Sequence, residues 1–255
     1  MRKKPKHCPF SVIVHDLSMP IHNGEFFDAI VHTAGSHPGN TAIRLKQDNI
    51  DAMEHLVEYA EKMEIPRMIY LSSTSVYGDV RTDVIDEGTD IRNPDVYGLS
   101  KYFAEKILLE SSLHWICLRL PGIFGEGSYR GWLSSVLKLA SENKDITIYS
   151  PDFSTNCFVF IDDLVRFIDV LMKKRIDKGI FVLGTSEKIM IKNCVEIIRN
   201  AVHSKSFVHV DKRKVFPFSL NIEKAIEHGF TSTRPQEFIE QTAKLFYGMR
   251  NEDLL

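Results

Sequence analysis

The sequence is poor in the features that mark secreted, membrane-spanning and nucleic-acid-binding proteins. Four of its 255 residues are cysteine, widely spaced and without a Cys-x-x-Cys pair, which argues against a disulfide framework or zinc finger and favours free thiols in a reducing compartment. No apolar run reaches the roughly 18 residues that span a bilayer. The net charge of -2 gives little support to nucleic-acid binding. We therefore expect a cytoplasmic protein without a metal site, a membrane segment or a nucleic-acid partner.

The residues that are present have an ordinary globular composition. Hydrophobic residues make up 44% of the chain and charged residues 26%, which is enough apolar material for a sizeable core. The length allows one large domain or two small ones.

Short apolar runs alternate with helical stretches in the first half of the chain. The runs are rich in β-branched or other apolar residues and end in small or turn-forming residues; they are 11–14, 28–32, 68–71 and 115–120. Continuous apolar strands separated by helices predict βαβ units around a parallel sheet buried on both faces. Ligands of such sheets lie beyond the carboxyl ends of the strands.

Apolar residues recur with helical spacing between these runs, over residues 50–60 and 96–109. In the second stretch, the residues expected in the core are Leu99, Phe103, Ile107 and Leu108. Later segments continue the α/β pattern, with helices expected near 132–140, 163–172, 191–202, 222–227 and 236–246, and extended pieces near 146–148, 157–160 and 180–182.

Tyr97 and Lys101 lie in the second helical stretch, four residues apart. This spacing places both side chains on one helix face, one turn from each other. A tyrosine titrates near 10, so a base at neutral pH needs a pKa about 2 to 3 lower, or about 3 to 4 kcal/mol. A neighbouring ammonium favours the phenolate in this way. Alone, the pair is a weak signal, since chance copies occur in many helices.

The surroundings of the pair make it specific. Residues 71–78, Leu-Ser-Ser-Thr-Ser-Val-Tyr-Gly, together with Tyr97 and Lys101, resemble the signature of the extended short-chain dehydrogenase/reductases. The likeness is to the NAD-dependent epimerase/dehydratase family, whose members include UDP-glucose 4-epimerase-like proteins. Further segments match that family in order, at 28–35, 49–51, 118–125 and 160–164. The resemblance implies a Rossmann-like doubly wound parallel sheet and a smaller C-terminal α/β substrate-binding region.

The resemblance also implies roles for the matched residues. Tyr97 is the implied general acid/base, and Lys101 is implied to lower its pKa, with a cationic nicotinamide, and to bind the cofactor ribose. Ser73 is implied to hydrogen-bond the substrate oxygen. The implied cofactor contacts are Asp16, Leu17, Ala34, Gly35, Asn49, Tyr97, Lys101 and Pro121, and the implied substrate contacts are Ser73, Thr74, Ser75 and Gly122.

Simpler interpretations compete at some of these positions. Asn49 is alternatively a helix cap or a polar surface residue, and Asp162 and Asp163 are expected to cap the helix that follows them. Asn221 is a further expected helix cap.

For the domains, we expect an incomplete Rossmann domain over residues 1–125, to which 155–175 return, and a mainly substrate-binding region over 126–255.

The sequence departs from the family pattern at several places. It has no Gly-x-x-Gly-x-x-Gly turn, the element that binds the dinucleotide pyrophosphate at a helix N-terminus, and residues 10–17 resemble the family's third strand. Thr74 and Ser75 stand where dehydratases carry an Asp-Glu pair, which favours an epimerase or reductase. Gly122 stands where epimerases carry asparagine, and Asn156 stands where an arginine is expected to bind the diphosphate.

The first departure leaves three interpretations open. The chain is a piece of a longer enzyme, a short protein that pairs an exposed sheet edge with a second subunit, or a fold that has lost its cofactor. The function expected is an NAD(P)-dependent nucleotide-sugar epimerase or 4-keto-sugar reductase acting by hydride transfer, with a homodimer as the expected assembly. The alternative is a non-enzymatic binding or scaffold protein.

We expect this chain to bind NAD weakly or not at all, because the pyrophosphate cradle normally supplies much of the dinucleotide affinity. Isothermal titration calorimetry of the chain with NAD measures this directly. Binding in the micromolar range would contradict the expectation.

Overall fold

The computed structural model describes residues 10–22, 24–128, 130–174, 176–212 and 217–252, with side chains described as far as residue 247. Its β-strands are β1 Ile30–His32, β2 Arg67–Ser73, β3 Val84–Ile85, β4 His114–Leu120, β5 Gly122–Phe124, β6 Ile146–Tyr149, β7 Ser154–Thr155, β8 Phe158–Phe160, β9 Lys178–Val182, β10 Ile189–Met190, β11 Val208–Asp211 and β12 Ser219–Leu220. Its α-helices are α1 Ala42–Leu45, α2 Ala52–Lys62, α3 Val96–Glu110, α4 Trp132–Ser141, α5 Ile161–Lys173, α6 Ile191–Ala201, α7 Glu223–Glu227 and α8 Pro235–Glu252. A π-helical segment, Lys46–Asp51, joins α1 to α2, and a 3-10 turn, Thr74–Tyr77, follows β2.

A four-stranded parallel sheet in the order β1-β2-β4-β9 is the central feature of the fold. The register of its first pair sets Ile30 beside Met68 and His32 beside Tyr70. Most residues of β2 and all residues of β4 except His114 are buried, as expected for strands covered on both faces. The α/β class and the parallel sheet predicted from the apolar runs are confirmed.

Within the described part of the chain, the residues divide into two compact units that interleave along the sequence. The first unit comprises Met1–Gly78, Asn93–Cys117 and Ile176–Gly179, and the second comprises Asp79–Arg92, Leu118–Arg175 and Ile180–Leu255. The helices α1 to α3 belong to the first unit, and α4 to α8 belong to the second. The domain boundary expected at residue 125 stays a prediction.

Aromatic side chains form the core of the second unit. Phe160 stacks on Phe238 with ring centroids 3.8 Å apart, and Phe158 packs tilted against Phe160 and edge-on against Trp132. Buried faces of α4, α6 and α8 surround these rings. Since fully burying a phenylalanine side chain contributes about 1.5 to 3 kcal/mol, this cluster is a main source of stability for the unit.

The face of α3 that points inward differs in part from the face that the sequence predicted. Leu108 is buried as predicted, but Leu99 is 41% exposed and Phe103 is 50% exposed, so their prediction as core residues is wrong. The inward face carries Lys101 and Glu105 instead. These polar side chains occupy buried positions because each has a partner on the sheet, as described below.

The strand expected over residues 11–14 is absent from the structure. These residues have no regular secondary structure, and Ile13 and Val14 are 54% and 51% exposed. β-branched composition favours a strand only where a neighbouring strand completes its hydrogen bonds. No described strand pairs with these residues, so the prediction fails for want of a partner.

Two polar residues of the second unit are bound in its interior. The Asn156 amide donates to the carbonyl oxygens of Thr185 and Leu220, at 3.0 and 2.9 Å, and its oxygen accepts from Leu220 N at 2.8 Å. The Asp163 carboxylate accepts from Thr233 N and Oγ1, at 2.9 and 2.8 Å.

Because α5 has no side-chain cap, the expectation that Asp162 and Asp163 cap it is wrong. The N-cap of α7 is Ile222 and not Asn221 as expected, although Asn221 Oδ1 accepts from the Glu223 amide at 2.9 Å.

Candidate active site

Ser73 lies at the carboxyl end of β2, where the chain turns into the 3-10 segment. Its Oγ accepts a hydrogen bond from the Ser75 amide and donates one to Ser75 Oγ, both at 3.1 Å. Ser73 therefore caps the turn that holds Thr74 and Ser75, and all three residues are half-buried. The turn fixes the serine hydroxyl at the edge of the sheet where ligands of parallel α/β folds bind.

The first turn of α3 packs unusually close to this serine turn. Asp95 caps the helix, its Oδ1 accepting from the Gly98 amide at 2.7 Å. A Cβ built on Gly98 would clash with the carbonyl oxygen of Ser75. Only glycine allows this approach, and the approach brings Tyr97 to Ser73.

Tyr97 is half-buried and forms a hydrogen bond with Ser73. Burial raises the pKa of its phenol above the ordinary value, the bond with Ser73 acts in the opposite direction, and the Asp95 carboxylate raises the pKa further. The direction is opposite to the lowering that the family resemblance implied. The physical reason is that burial and an anion favour the neutral phenol.

Lys101 points from the next turn of α3 toward β2 and is 5% exposed. Its ammonium donates to the carbonyl oxygen of Leu71 at 2.7 Å and lies 4.3 Å from the centre of the Tyr70 ring. Burial lowers the pKa of the amine to about 8, against the opposing effects of Cys117 and Glu105. The amine is therefore bound to the sheet. It is not among the groups that shift the pKa of Tyr97.

Asn49 joins the loop after β1 to α3. It lies in the π-helical segment, is 1% exposed, accepts from the Ser36 amide at 2.8 Å and donates to Ser100 Oγ at 2.8 Å. Ser100 in turn donates to the Tyr97 carbonyl at 2.8 Å. The alternative interpretation of Asn49 as a surface residue is therefore wrong. Its implied cofactor contact stays a prediction.

Gly35 lies beside this asparagine with a φ of +152°, and a Cβ at that position would come within 2.7 Å of Asn49 Oδ1. The Ala34–Gly35 turn therefore closes directly over the asparagine. A turn of this kind presents backbone rather than side chain to a ligand, which fits the implied approach of a cofactor.

The remaining implied contacts are Asp16, Leu17, Pro121 and Gly122. Asp16 is exposed and accepts from the amide and hydroxyl of Ser18, which lower its pKa, while the Leu17 carbonyl contacts His55. Pro121 and Gly122 belong to the second unit. A Cβ on Gly122 would meet no atom within 4 Å, so packing does not dictate the residue there. The roles of these residues stay predictions.

Sequence reasoning missed the residues that hold the group in place. Gly98, Ser100 and Tyr70 carry no chemical signature, although Gly98 and Ser100 lie inside the Tyr-x-x-x-Lys segment. A metal-binding group of His, Cys, Asp or Glu is not found in the described ranges. No helix in the described part of the chain is long and apolar enough to cross a membrane.

The donors present fit one half of a dinucleotide better than the other. Ser73, Tyr97 and Lys101 offer hydroxyl and ammonium groups of the kind that a nicotinamide ribose and a carbinol substrate need, and the Ala34–Gly35 turn offers open backbone. The glycine-rich pyrophosphate cradle is absent from the sequence.

A parallel sheet with a Ser-Tyr-Lys group at its carboxyl edge defines a protein of the extended short-chain dehydrogenase/reductase class. The family model for NAD dependent epimerases/dehydratases matches residues 17–184. The chain belongs to this family.

Relatives and solved structures agree with this assignment. The chain is 25% identical over 199 residues to dTDP-D-glucose 4,6-dehydratase of Dictyostelium discoideum, covering 70% of this chain and 46% of that protein. It is 22% identical over 218 residues to UDP-glucose 4-epimerase of the same organism, covering 73% and 63%. The chain thus spans about half to two thirds of the length of these relatives.

The fold is similar to that of RMD from Pseudomonas aeruginosa complexed with NADPH, with a TM-score of 0.79 and 16% identity over 96% of this chain and 92% of that one. It is also similar to the UDP-Glc/GlcNAc 4-epimerase of Campylobacter jejuni, with a TM-score of 0.74 and 17% identity over 89% and 78%. At these identities the likeness shows the fold.

We expect Gly98→Ala to destabilise the protein, because the added methyl group forces α3 away from Ser75. The free energy of unfolding should fall by about 1 to 3 kcal/mol, the usual effect of overpacking, although alanine is the better helix former. Urea denaturation measures the change. Gly122→Ala is the matched control, with a change below about 0.5 kcal/mol expected at an open position. A Gly98→Ala variant as stable as the parent would contradict the close packing.

Proposed function

We propose that the chain acts as an NAD(P)-dependent nucleotide-sugar epimerase or keto-sugar reductase. The observation that carries the proposal is the hydrogen bond between Tyr97 and Ser73, with Lys101 one helical turn away. Membership of the NAD-dependent epimerase/dehydratase family supports it. Similar solved structures add support, since they include a Bordetella bronchiseptica enzyme in complex with NAD and UDP and the Pseudomonas protein in complex with NADPH.

The chemistry assigns one task to each residue. When bound, the nicotinamide supplies a hydride acceptor or donor. Tyr97 removes the carbinol proton as the alcohol is oxidised, or donates a proton to the oxygen as the ketone is reduced. Ser73 hydrogen-bonds the same oxygen and fixes it beside the phenol. Lys101, held at the Leu71 carbonyl on β2, offers its ammonium to the ribose of the cofactor. The positive charge that favours the phenolate during oxidation comes with the bound cofactor.

The residues after Ser73 favour epimerisation or reduction over dehydration. Thr74 and Ser75 carry hydroxyl groups, whereas elimination of water needs a carboxyl acid and base at these positions. An epimerase releases the substrate with one inverted carbinol carbon, and a reductase leaves an alcohol in place of a ketone. Both outcomes need a hydride transfer, which the bound cofactor would supply, and from the protein only the proton transfer assigned to Tyr97.

Replacing Tyr97 by phenylalanine tests the proposal. With UDP-hexoses or nucleotide-linked 4-keto sugars as substrates and NAD or NADPH added in excess, Tyr97→Phe should lower kcat by about 10²- to 10⁴-fold, the usual contribution of a general acid/base. In the oxidising direction, wild-type kcat should rise with pH and level off above the pKa of Tyr97, since the phenolate is the active form. That pKa is raised, so the rise should lie on the alkaline side.

Tyr102→Phe is the matched control for this experiment, since Tyr102 lies on the same helix against Lys106 and has no assigned part in the reaction. It should turn over like the parent. Equal rates for Tyr97→Phe and the parent would overturn the assignment. A parent without turnover at saturating cofactor would favour the alternative, a binding or scaffold protein on the same fold.

We further propose that the chain forms a homodimer through the outward face of α3. Val96, Leu99 and Phe103 repeat at helical spacing and are 55%, 41% and 50% exposed, and a contiguous apolar patch of this kind marks an interaction surface. A second copy of the same helix would cover it.

Placing a charge on this face should separate the copies. Phe103→Glu should shift the sedimentation coefficient from dimer to monomer, because the carboxylate would be buried without a partner. Val165→Glu, at a 57% exposed position on α5, is the control and should leave the assembly unchanged. A monomeric parent, or a dimeric Phe103→Glu variant, would contradict the proposal.

A further inference from the structure

The ammonium of Lys101 is held by a buried aromatic ring. Tyr70 is fully buried on β2, and its ring centre lies 4.3 Å from Lys101 Nζ. The ammonium has one hydrogen bond on the other side, to Leu71 O at 2.7 Å. A cation at this distance over a ring face is attracted by the ring quadrupole, most strongly where water is excluded.

The hydroxyl of Tyr70 does not account for the residue's position. It is buried without a hydrogen-bond partner in the described part of the chain, as is Nε2 of the neighbouring His32. The two rings stack at 5.3 Å, paired across β1 and β2. A buried hydroxyl without a partner is unfavourable, so the contribution of Tyr70 lies in its ring.

We propose that Tyr70 is a positioning residue, whose ring face holds the Lys101 ammonium in place against β2, where it donates to Leu71 O. The catalytic meaning of this role rests on the function proposed above. The ring would keep the lysine extended against the strand that leads to Ser73 and would prevent it from folding toward bulk solvent.

A ring suits this task better than a carboxylate would. A carboxylate against the ammonium would form an ion pair and cancel most of its charge, whereas a ring stabilises the cation and adds no net charge. Glu105, the carboxylate one turn further along α3, accepts from Ser72 Oγ at 2.5 Å. The groups that face or influence Lys101 from the elements around it are His32 on β1, Tyr70 on β2, Cys117 on β4 and Glu105 on α3.

His32 stays neutral in this arrangement. Burial, and to a lesser extent the nearby Lys101 charge, lower its pKa to about 3. Lys101, whose pKa is about 8, is therefore the cation of the group at neutral pH. A change in the electron density of the Tyr70 ring should therefore change the pKa of this amine.

A graded change of the ring tests the proposal without removing its bulk. Tyr70 is replaced in the full chain by phenylalanine, 4-fluorophenylalanine and 3,4,5-trifluorophenylalanine, which weaken the negative ring face stepwise. The pKa of the Lys101 amine is followed by NMR in protein with isotope-labelled lysine, the signal being assigned by its loss in Lys101→Met. A weaker ring face destabilises the ammonium, so the pKa of Lys101 should fall from phenylalanine to each fluorinated ring in turn, by about 0.5 to 1 between phenylalanine and the trifluorinated ring.

The two fluorinated phenylalanines at Phe124, a 2% exposed ring of the other unit, form the control and should leave the Lys101 pKa unchanged. A pKa that is equal across the Tyr70 series would overturn the proposal and leave Tyr70 a space-filling core residue. Tyr70→Phe should keep the parent's pKa and melt at an equal or higher temperature, since it retains the ring and removes the unpaired hydroxyl.

The titration is made on the chain alone, so its result is separate from that of the turnover assay. A stepwise fall in the pKa together with an inactive parent would establish the positioning role and refute the enzymatic function. An active parent with an unchanged pKa would refute the positioning role and support the enzymatic function. If the parent is active and the pKa falls along the series, kcat should decrease in the same order as the Lys101 pKa.

Discussion

The candidate site depends on the close approach of α3 to the turn after β2. Asp95 caps the helix, Gly98 allows its backbone to reach the Ser75 carbonyl, and from there Tyr97 meets Ser73 while Lys101 reaches Leu71. Nothing in the individual side chains would bring these groups together. The geometry is a property of backbone packing, since one methyl group at position 98 would separate the phenol from the serine.

A second contact fixes the same helix from the side of β1. Asn49 contributes one amide group to the Ser36 backbone and to Ser100, at 2.8 Å each, so that the loop after β1 and α3 share a single buried side chain. The π-helical segment that carries Asn49 widens the helix at this point, and such segments recur at functional sites. The turn at Gly35 and the position of Tyr97 are therefore set together.

The sequence predicted those features that depend on local pattern. Apolar runs and helical spacing located the buried strands β2 and β4 and most helices, because burial on both faces leaves a direct trace in composition. Residues 11–14 and the outward residues Leu99 and Phe103 were misread, because their environment depends on which neighbours are present. The same holds for Asp163, whose partner Thr233 lies 70 residues further along the chain.

The pKa values illustrate this limit and bear on the direction of the reaction. The spacing of Tyr97 and Lys101 implied a lowered phenol pKa, yet burial and Asp95 raise it, while the amine is lowered to about 8. At neutral pH the group thus holds a protonated phenol near a largely charged lysine. A protonated phenol is a proton donor, the form that ketone reduction requires, whereas carbinol oxidation requires added positive charge to release the proton. For the function proposed, the protein alone would therefore favour the acid role of Tyr97, and the base role would depend on charge brought in by a bound cofactor.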